Sequence, residues 1–448
     1  MGRLFGTDGV RGVANKELTI ELAMKLGKYG AYGITEGKSN AKIIVGKDTR
    51  ISGDLLEAAL ISGILSTGCD VIRVGVIPTP AIAKLVKFLG ADAGVMISAS
   101  HNPVEFNGIK FFNSQGLKLS DHLEDEIEDM LIAEESIHLP VGLELGTVKE
   151  YPHAHDDYVE YVLKTLNGVT FEGIKIAMDC ANGAAYDVAP NTFNKLDAKV
   201  YTIHHEPDGT NINESCGSTH MGDLKNFVKV VGADVGLAFD GDADRLLAVD
   251  ENGQLVDGDK IMAICGHYLN SQGELAKSTV VSTVMSNLGF DIALKENALN
   301  TKKTKVGDRY VLEEMLANGY ELGGEQSGHI IFLKHNTTGD GLLTAVQLIR
   351  VMKATGKKLS ELAGIMTVYP QVLKNAKVSN AKKEHYLDDP VIAEAVKKIE
   401  EMFHGNGRVL IRPSGTEPLV RVMIEGKEQE MLEKAANDMV ALIEKQLN

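Results

Sequence analysis

The sequence predicts an α/β protein of three similar domains with mixed sheets, followed by a smaller C-terminal α+β domain. Three observations lead there. The chain is long enough for several domains, at 448 residues against about 100–200 per domain. Short apolar runs alternate with amphipathic helical patterns for most of that length, which is the mark of βαβ units. One segment also echoes another: Gly90-Ala91-Asp92-Ala93-Gly94 and Gly232-Ala233-Asp234-Val235-Gly236 each open an apolar strand that ends in a polar loop.

In chain order, Lys42–Val45, Val71–Val74 and Gly94–Ile97 read as strands, with helices at Gly53–Ser66 and Ala81–Phe88 between them. Asp121–Glu135 carries eight carboxylates and no Lys or Arg. Its apolar residues fall at helical spacing, so it reads as a helix with a solvated acidic face. After a helix at His155–Leu166, strands are expected at Ile174–Met178, Lys199–Ile203 and Val235–Phe239. Thr279–Thr283 and Lys303–Val306 are the next strands and Gly341–Lys353 the next long helix. Arg408–Arg412 and Leu419–Glu425 read as strands around the loop Pro413–Pro418 of the last domain. Breaks near Leu139–Pro152, Glu251–Gly258 and Tyr369–Pro370 divide the chain into domains over 1–150, 151–255, 256–369 and 370–448. If the echo marks a duplicated unit, the polar loops following each strand sit at equivalent carboxyl ends, where α/β sheets place ligands.

Composition narrows the function. The formal net charge is −16, so the surface repels nucleic-acid phosphates, and any anionic substrate needs a locally basic pocket. Trp is absent and aromatics are 5%, which disfavours a base-stacking platform. The four cysteines form no CxxC pair, as expected for reduced thiols in the cytoplasm. The N-terminus lacks the apolar run of a signal peptide, and no apolar stretch is long enough to span a membrane.

Four loops carry chemistry. Asp240-Gly241-Asp242-Ala243-Asp244-Arg245 follows a strand with three carboxylates at alternate positions. Extended backbone would point them the same way, which suits a hard cation. An EF-hand is excluded because Arg245 stands where its turn glycine must be. Ser98-Ala99-Ser100-His101-Asn102-Pro103 offers a nucleophilic serine, although neighbours in sequence rarely face each other, so a Ser100–His101 dyad is not expected. Gly323–His329 frames Glu325, Ser327 and His329 with glycines, allowing close approach to a polyol or phosphate. Arg412-Pro413-Ser414-Gly415-Thr416-Glu417-Pro418, with Arg421 behind, combines hydroxyls, turn N–H groups and guanidinium donors suited to phosphate. Glu36-Gly37-Lys38-Ser39 is not a P-loop, because it precedes a strand and lacks the first glycine.

Together with Phe5-Gly6-Thr7-Asp8-Gly9-Val10-Arg11-Gly12, these loops occur in the order found in the α-D-phosphohexomutase superfamily, which the whole chain resembles. The resemblance implies four domains around a central cleft and a phosphoserine at Ser100. It implies that Asp240, Asp242 and Asp244 bind Mg²⁺ together with the Ser100 oxygen. Arg11, His101, Lys110 and Arg245 match active-site positions, with Lys110 an acid/base candidate. Glu325, Ser327 and His329 would hold the sugar, and Arg412, Ser414, Gly415, Thr416 and Arg421 the distal phosphate. The implied reaction moves a phosphoryl group within a sugar phosphate through a bisphosphorylated sugar, which also primes the enzyme. The Gly-Thr-Asp-Gly-Val-Arg-Gly and Gly-Glu-Gln-Ser-Gly-His stretches resemble the glucosamine branch, whose product feeds cell-wall precursor synthesis. Within that branch Glu325 is a charge partner for a 2-amino group. Glucose or mannose phosphate mutases and a metal-dependent sugar phosphatase are the alternatives. The expected partner is a small sugar phosphate, with no nucleic acid and no membrane, and a homodimer is left open.

Overall fold

The structure, a computed structural model, describes residues 4–447 except Thr7, Ser39, Ala381, Leu387, 404–406 and 415–417. The chain divides into two compact units, Met1–Met285 with Leu299–Ile365, and Ser286–Ala298 with Met366–Asn448.

The first unit holds three sheets built on one plan. In the first, the strand order is Val10–Val13, Phe106–Asn113, Ala93–Ile97, Lys42–Lys47, Asp70–Val76 and Val148–Glu150. In the second it is Leu255–Val256, Leu246–Asp250, Val235–Phe239, Lys175–Asp179 and Lys199–Ile203, and in the third Ile330–Phe332, Leu322–Gly324, Thr279–Thr283 and Asn300–Thr304. Each contains the same four-strand block: a central strand flanked by two parallel neighbours, with an antiparallel return beside one of them. The echo in the sequence is therefore a repeat in topology. The loop before the antiparallel return is Ser98–Asn102 in the first sheet, Asp240–Arg245 in the second and Glu325–His329 in the third. The three chemistry-bearing loops are structural equivalents.

The buried strands read as near-continuous apolar runs, as parallel sheets covered on both faces require. Ala93–Ile97 and Val235–Phe239 are buried at every residue. The first core gathers Ile43, Val45, Val95 and Ile97 from the sheet against Leu26, Leu56 and Leu60 from two helices. Helix starts follow their caps. Asp340 accepts the Leu343 N–H at 2.9 Å to open the helix Gly341–Thr355, and also receives the Tyr158 hydroxyl at 2.7 Å.

Three expectations are corrected. The strand expected at Lys303–Val306 lies at Asn300–Thr304. It is a polar edge strand without apolar alternation, so hydrophobic pattern could not fix its ends. The Leu139–Pro152 stretch is not simply a linker, because Val148–Glu150 adds a parallel edge strand to the first sheet. The acidic helix, Asp121–Ala133, does not only present a solvated face. Glu128 is buried, and its carboxylate accepts the Leu4 and Phe5 N–H groups at 2.8–3.2 Å, fixing the entry of the chain.

The second unit has a three-stranded antiparallel sheet, Gln371–Lys377, Leu419–Glu425 and Arg408–Pro413. Ile392 and Phe403 from one helical segment and Leu432, Ala436, Met439 and Ile443 from the last helix form its core with Val420, Val422 and Ile424. Among the described residues no helix is long and apolar enough to cross a membrane, and the four cysteines are buried and free.

Candidate active site

Ser100 lies in the middle of the first of the three equivalent loops. It is buried and sits in the left-handed region at φ 53°, a conformation few non-glycine residues adopt without support. The support is extensive. The Ser100 carbonyl accepts Arg50 Nη2 at 2.9 Å and Asn213 Nδ2 at 2.8 Å. Its N–H donates to Ser98 Oγ at 2.9 Å, and Ser98 Oγ donates to Asp48 Oδ2 at 2.6 Å. Arg50 is held by Asp48 at 2.9 Å. A Cβ on Gly241 would stand 2.5 Å from the Ser100 carbonyl oxygen, so only glycine lets the second loop approach the first this closely.

The side chain then points at the second loop: Ser100 Oγ donates to Asp240 Oδ2 at 2.7 Å. Carboxylate oxygens of Asp240, Asp242 and Asp244 all lie within 4.8 Å of one another, and all three residues are buried. The expected alternation is not how they converge. Residues 241–243 form a turn with Ala243 at φ 56°, and the coil of that turn brings the carboxylates together.

The electrostatics of the three differ. Burial pushes the Asp240 carboxyl well above the usual carboxylate range, and the Asp244 and Asp242 charges add to it. Asp244 is raised by burial and by Asp242. Asp242 goes the other way: burial opposes its charge, but Lys110 Nζ at 2.8 Å and the Thr79 hydroxyl at 2.6 Å hold it well below the usual range. Asp242 Oδ1 and Asp244 Oδ1 are buried with no hydrogen-bond partner among the described residues. Repelling carboxylates with buried, unused oxygens are the donor set of a hard cation, so the residues fit a metal ion.

Around this triad lies a ring of cations. Lys110 is buried between Asp242 and Asp8, with Asp8 Oδ2 at 2.9 Å. Burial works against its charge, but the two carboxylates outweigh that and hold it firmly protonated. Arg11 pairs with Asp8. Lys118 Nζ bridges Asp8 and Asp308 at 2.5 Å each. Arg245 Nη1 lies 2.9 Å from His101 Nδ1. Because a guanidinium can only donate, His101 Nδ1 is the acceptor and the ring proton sits on Nε2. Burial, then the Arg245 and Arg11 charges, push His101 down to about 4, so the imidazole is neutral at pH 7. Ser100 Oγ does approach His101 Nδ1, at 3.4 Å, but that lone pair is engaged by Arg245. The two neighbours touch without forming a dyad, as the sequence suggested.

The third loop closes one side. An isolated bridge joins Arg245 to His329. His329 is buried, with Nε2 at 3.5 Å from Asp308 and 3.9 Å from Asp244. A Cβ on Gly339 would fall 2.5 Å from its ring. Glu325 is half-buried and accepts the Gly307 N–H at 3.1 Å, whereas Ser327 is exposed. Ser100, His101, Lys110, Arg11, Arg245, the three aspartates and His329 thus meet in the first unit. Arg412, Ser414 and Arg421 belong to the second. There Arg412 and Arg421 are direct cross-strand partners, and burial followed by the Arg421 charge lowers the Arg412 pKa. Ser414 is buried and its carbonyl accepts Lys383 Nζ. Gly415 and Thr416 lie outside the described residues.

Sequence reasoning missed several members. Asp48 and Arg50 follow the strand Lys42–Lys47 directly, a position where a polar Asp-Thr-Arg run is itself a signal. Thr79, Asn213 and Lys118 carry no local signature.

Comparison with known proteins identifies the family. The phosphoglucomutase/phosphomannomutase family matches as its alpha/beta/alpha domains I, II and III over residues 2–138, 156–253 and 257–369, and as its C-terminal domain over 373–442. The chain belongs to this family. Among its relatives, a phosphoglucosamine mutase of Acetivibrio thermocellus is 62% identical over 449 residues, covering 100% of both chains. One of Clostridium acetobutylicum is 59% identical, again covering 100% of both. A solved family protein from Burkholderia thailandensis superposes with a TM-score of 0.82 at 21% identity, covering 100% of this chain and 98% of that one. Aspergillus fumigatus N-acetylphosphoglucosamine mutase, in complex with GlcNAc-6P and magnesium, gives 0.71 at 17% identity, covering 99% and 96%. At these identities the solved structures establish the shared fold.

Proposed function

We propose that this protein interconverts glucosamine 6-phosphate and glucosamine 1-phosphate, with Ser100 as the phosphoryl carrier. The observation that carries the reading is the buried, strained Ser100 whose Oγ meets the aspartate triad at 2.7 Å, ringed by Lys110, Arg11 and Arg245. Identity near 60% over the whole chain to proteins named phosphoglucosamine mutase supports the sugar.

In this reading phosphoserine 100 faces a free hydroxyl of the sugar phosphate. The bond between Ser100 Oγ and phosphorus breaks as the sugar oxygen bonds to phosphorus, and the hydroxyl proton ends on Ser100 Oγ. The bisphosphate turns over, and the other phosphoryl group returns to Ser100. Phosphoryl transfer is mostly positioning and charge stabilisation. Lys110, held as a cation, Arg11 and Arg245 answer the phosphoryl charge, while Arg245 fixes neutral His101. Asp240, Asp242 and Asp244 would hold Mg²⁺, which when bound neutralises charge on the phosphoryl oxygens. Arg412 and Arg421 face like charge across one strand pair, a repulsion that a dianionic phosphate relieves. Gly415 and Thr416 complete that loop in the proposal. Glu325, oriented by the Gly307 N–H, is the anionic partner for the 2-ammonium group, with Ser327 and His329 beside it.

A substrate panel tests this. Glucosamine, glucose and mannose 6-phosphates are incubated with Mg²⁺ and a priming sugar bisphosphate, and 1-phosphate and free phosphate are followed together. A kcat/KM at least about tenfold higher for glucosamine, about 1.4 kcal/mol, is expected without net phosphate release. Equal turnover of glucose would overturn the sugar assignment, and phosphate release without isomerisation would overturn the reaction.

A further inference from the structure

A second cluster of ligand-type side chains lies in the second domain, built from parts the proposed reaction does not use. Asp179 ends the strand Lys175–Asp179, His204 follows the adjacent parallel strand Lys199–Ile203, and Cys216 lies on the loop before the next helix. One ligand atom from each lies within 4.8 Å of the others. His204 Nδ1 pairs with Asp179 Oδ2 at 3.1 Å and is closed to solvent, so this nitrogen already faces the carboxylate of the cluster. The other ring nitrogen, Nε2, lies 3.6 Å from the exposed Asp223 carboxylate.

We propose that Asp179, His204 and Cys216 form a site for one Zn²⁺ ion, separate from the Asp240–Asp244 triad. The donor chemistry selects the metal. One thiolate, one imidazole and one carboxylate suit a borderline-soft ion, whereas Mg²⁺ takes oxygen ligands. Bonds of about 2.0–2.3 Å to three such ligands place them roughly 3.3–3.8 Å apart, so the observed spread needs only a modest contraction. His204 is disposed as a zinc-bound histidine usually is, with one nitrogen toward the ligand cluster and the other toward an orienting carboxylate. Asp179 is held in place by the Gly217 and Ala181 N–H groups, both at 2.9 Å. His204 also borders an open surface depression shared with His205, Glu206, Asn182 and Asn211, so the cluster lies close to solvent. Binding replaces the Cys216 thiol proton by the metal–sulfur bond and releases that proton to solvent.

The site would also act on its surroundings. The His204 carbonyl accepts the Asn182 N–H at 2.7 Å, and Asn213, three positions before Cys216, donates to the Ser100 carbonyl. An ion here would stiffen the loop that clamps Ser100.

The test uses the full chain, stripped with a chelator and returned to excess Mg²⁺ to occupy the aspartate triad. Zn²⁺ is then added and retained metal counted after gel filtration. Co²⁺ is titrated in parallel and the near-ultraviolet thiolate-to-cobalt band recorded. The wild type is expected to keep one Zn²⁺ per chain and to show the band. Cys216→Ser should abolish the band, and His204→Asn should weaken Zn²⁺ binding at least about tenfold. Cys216 is buried, so where its variant fails to fold the partly exposed His204→Asn decides alone. No retained zinc and no band in the wild type, or zinc retained equally by a folded His204→Asn, overturns the proposal.

Discussion

Ser100 Oγ and Asp240 Oδ2 meet at 2.7 Å although 140 residues separate them in the chain. The contact joins two loops that occupy the same place in two copies of one sheet plan. It is short because glycine at position 241 lets the backbones close together and because Arg50 and Asn213 hold the Ser100 carbonyl from the other side.

The aspartate triad makes the metal-free protein pay an electrostatic cost that metal removes. The folded pKa of Asp240 is raised, so keeping this carboxyl ionised works against folding, and that penalty fades as pH falls through the raised value. In chelator at pH 7, Asp240→Asn is expected to denature later than wild type, with the difference shrinking on acidification. Added Mg²⁺ should reverse the order. Thermal denaturation at several pH values checks this, and kcat should fall about 10²–10³-fold, the scale of losing one preorganised charge.

Lys110 is the counter-ion that Asp242 and Asp8 share. Lys110→Met leaves buried Asp242 without its counter-ion, while half-buried Asp8 keeps Arg11 and Lys118, and should cost about 3–5 kcal/mol of stability. Adding Asp242→Asn should recover part of that loss, since the two residues touch and their effects will not add. Denaturant unfolding of the two single variants and the double variant measures the coupling.

His101 is held at a pKa of about 4. Its ring should stay neutral in NMR titrations down to about pH 5. Because the folded pKa lies below the ordinary value near 6.5, its contribution to stability is lost as pH falls from about 6.5 toward 4. Arg245→Met removes one of the charges that lower it, so the His101 titration should move up toward its ordinary value. A His101 pKa unchanged in that variant would contradict the assigned contact.

Arg412 faces Arg421 across the last sheet. Arg412→Ala should raise KM about 10–100-fold, the worth of a charged hydrogen bond of about 1.5–3 kcal/mol. The same change should slightly stabilise the ligand-free protein by relieving the like-charge pair. Steady-state kinetics and a thermal melt read the two effects separately.

Much of this was legible in the sequence. The Gly-Ala-Asp echo reports a real repeat of topology because the same turn chemistry must precede the same buried strand in each copy. The aspartate triad was legible because three carboxylates fall within five residues, although the turn at Ala243, not extended alternation, makes them converge. The bridge from Asp8 through Lys118 to Asp308 was not legible. Its members stand 110 and 190 residues apart, and although Asp8 lies in the Phe5–Gly12 motif, nothing local marks the three as partners, so only the packing of the domains reveals the pairing. The left-handed Ser100 was equally hidden, since serine has no preference for that conformation and the surrounding hydrogen bonds impose it.

The central claim is that Ser100 carries the phosphoryl group. The most direct measurement incubates the protein with Mg²⁺ and a sugar 1,6-bisphosphate, maps phosphate by peptide mass spectrometry, and then adds glucosamine 6-phosphate. The account predicts phosphate on Ser100, its passage to the sugar without appearing as free phosphate, and loss of both in Ser100→Ala. Full mutase activity in Ser100→Ala, or stable phosphate on another residue that alone turns over, would contradict it.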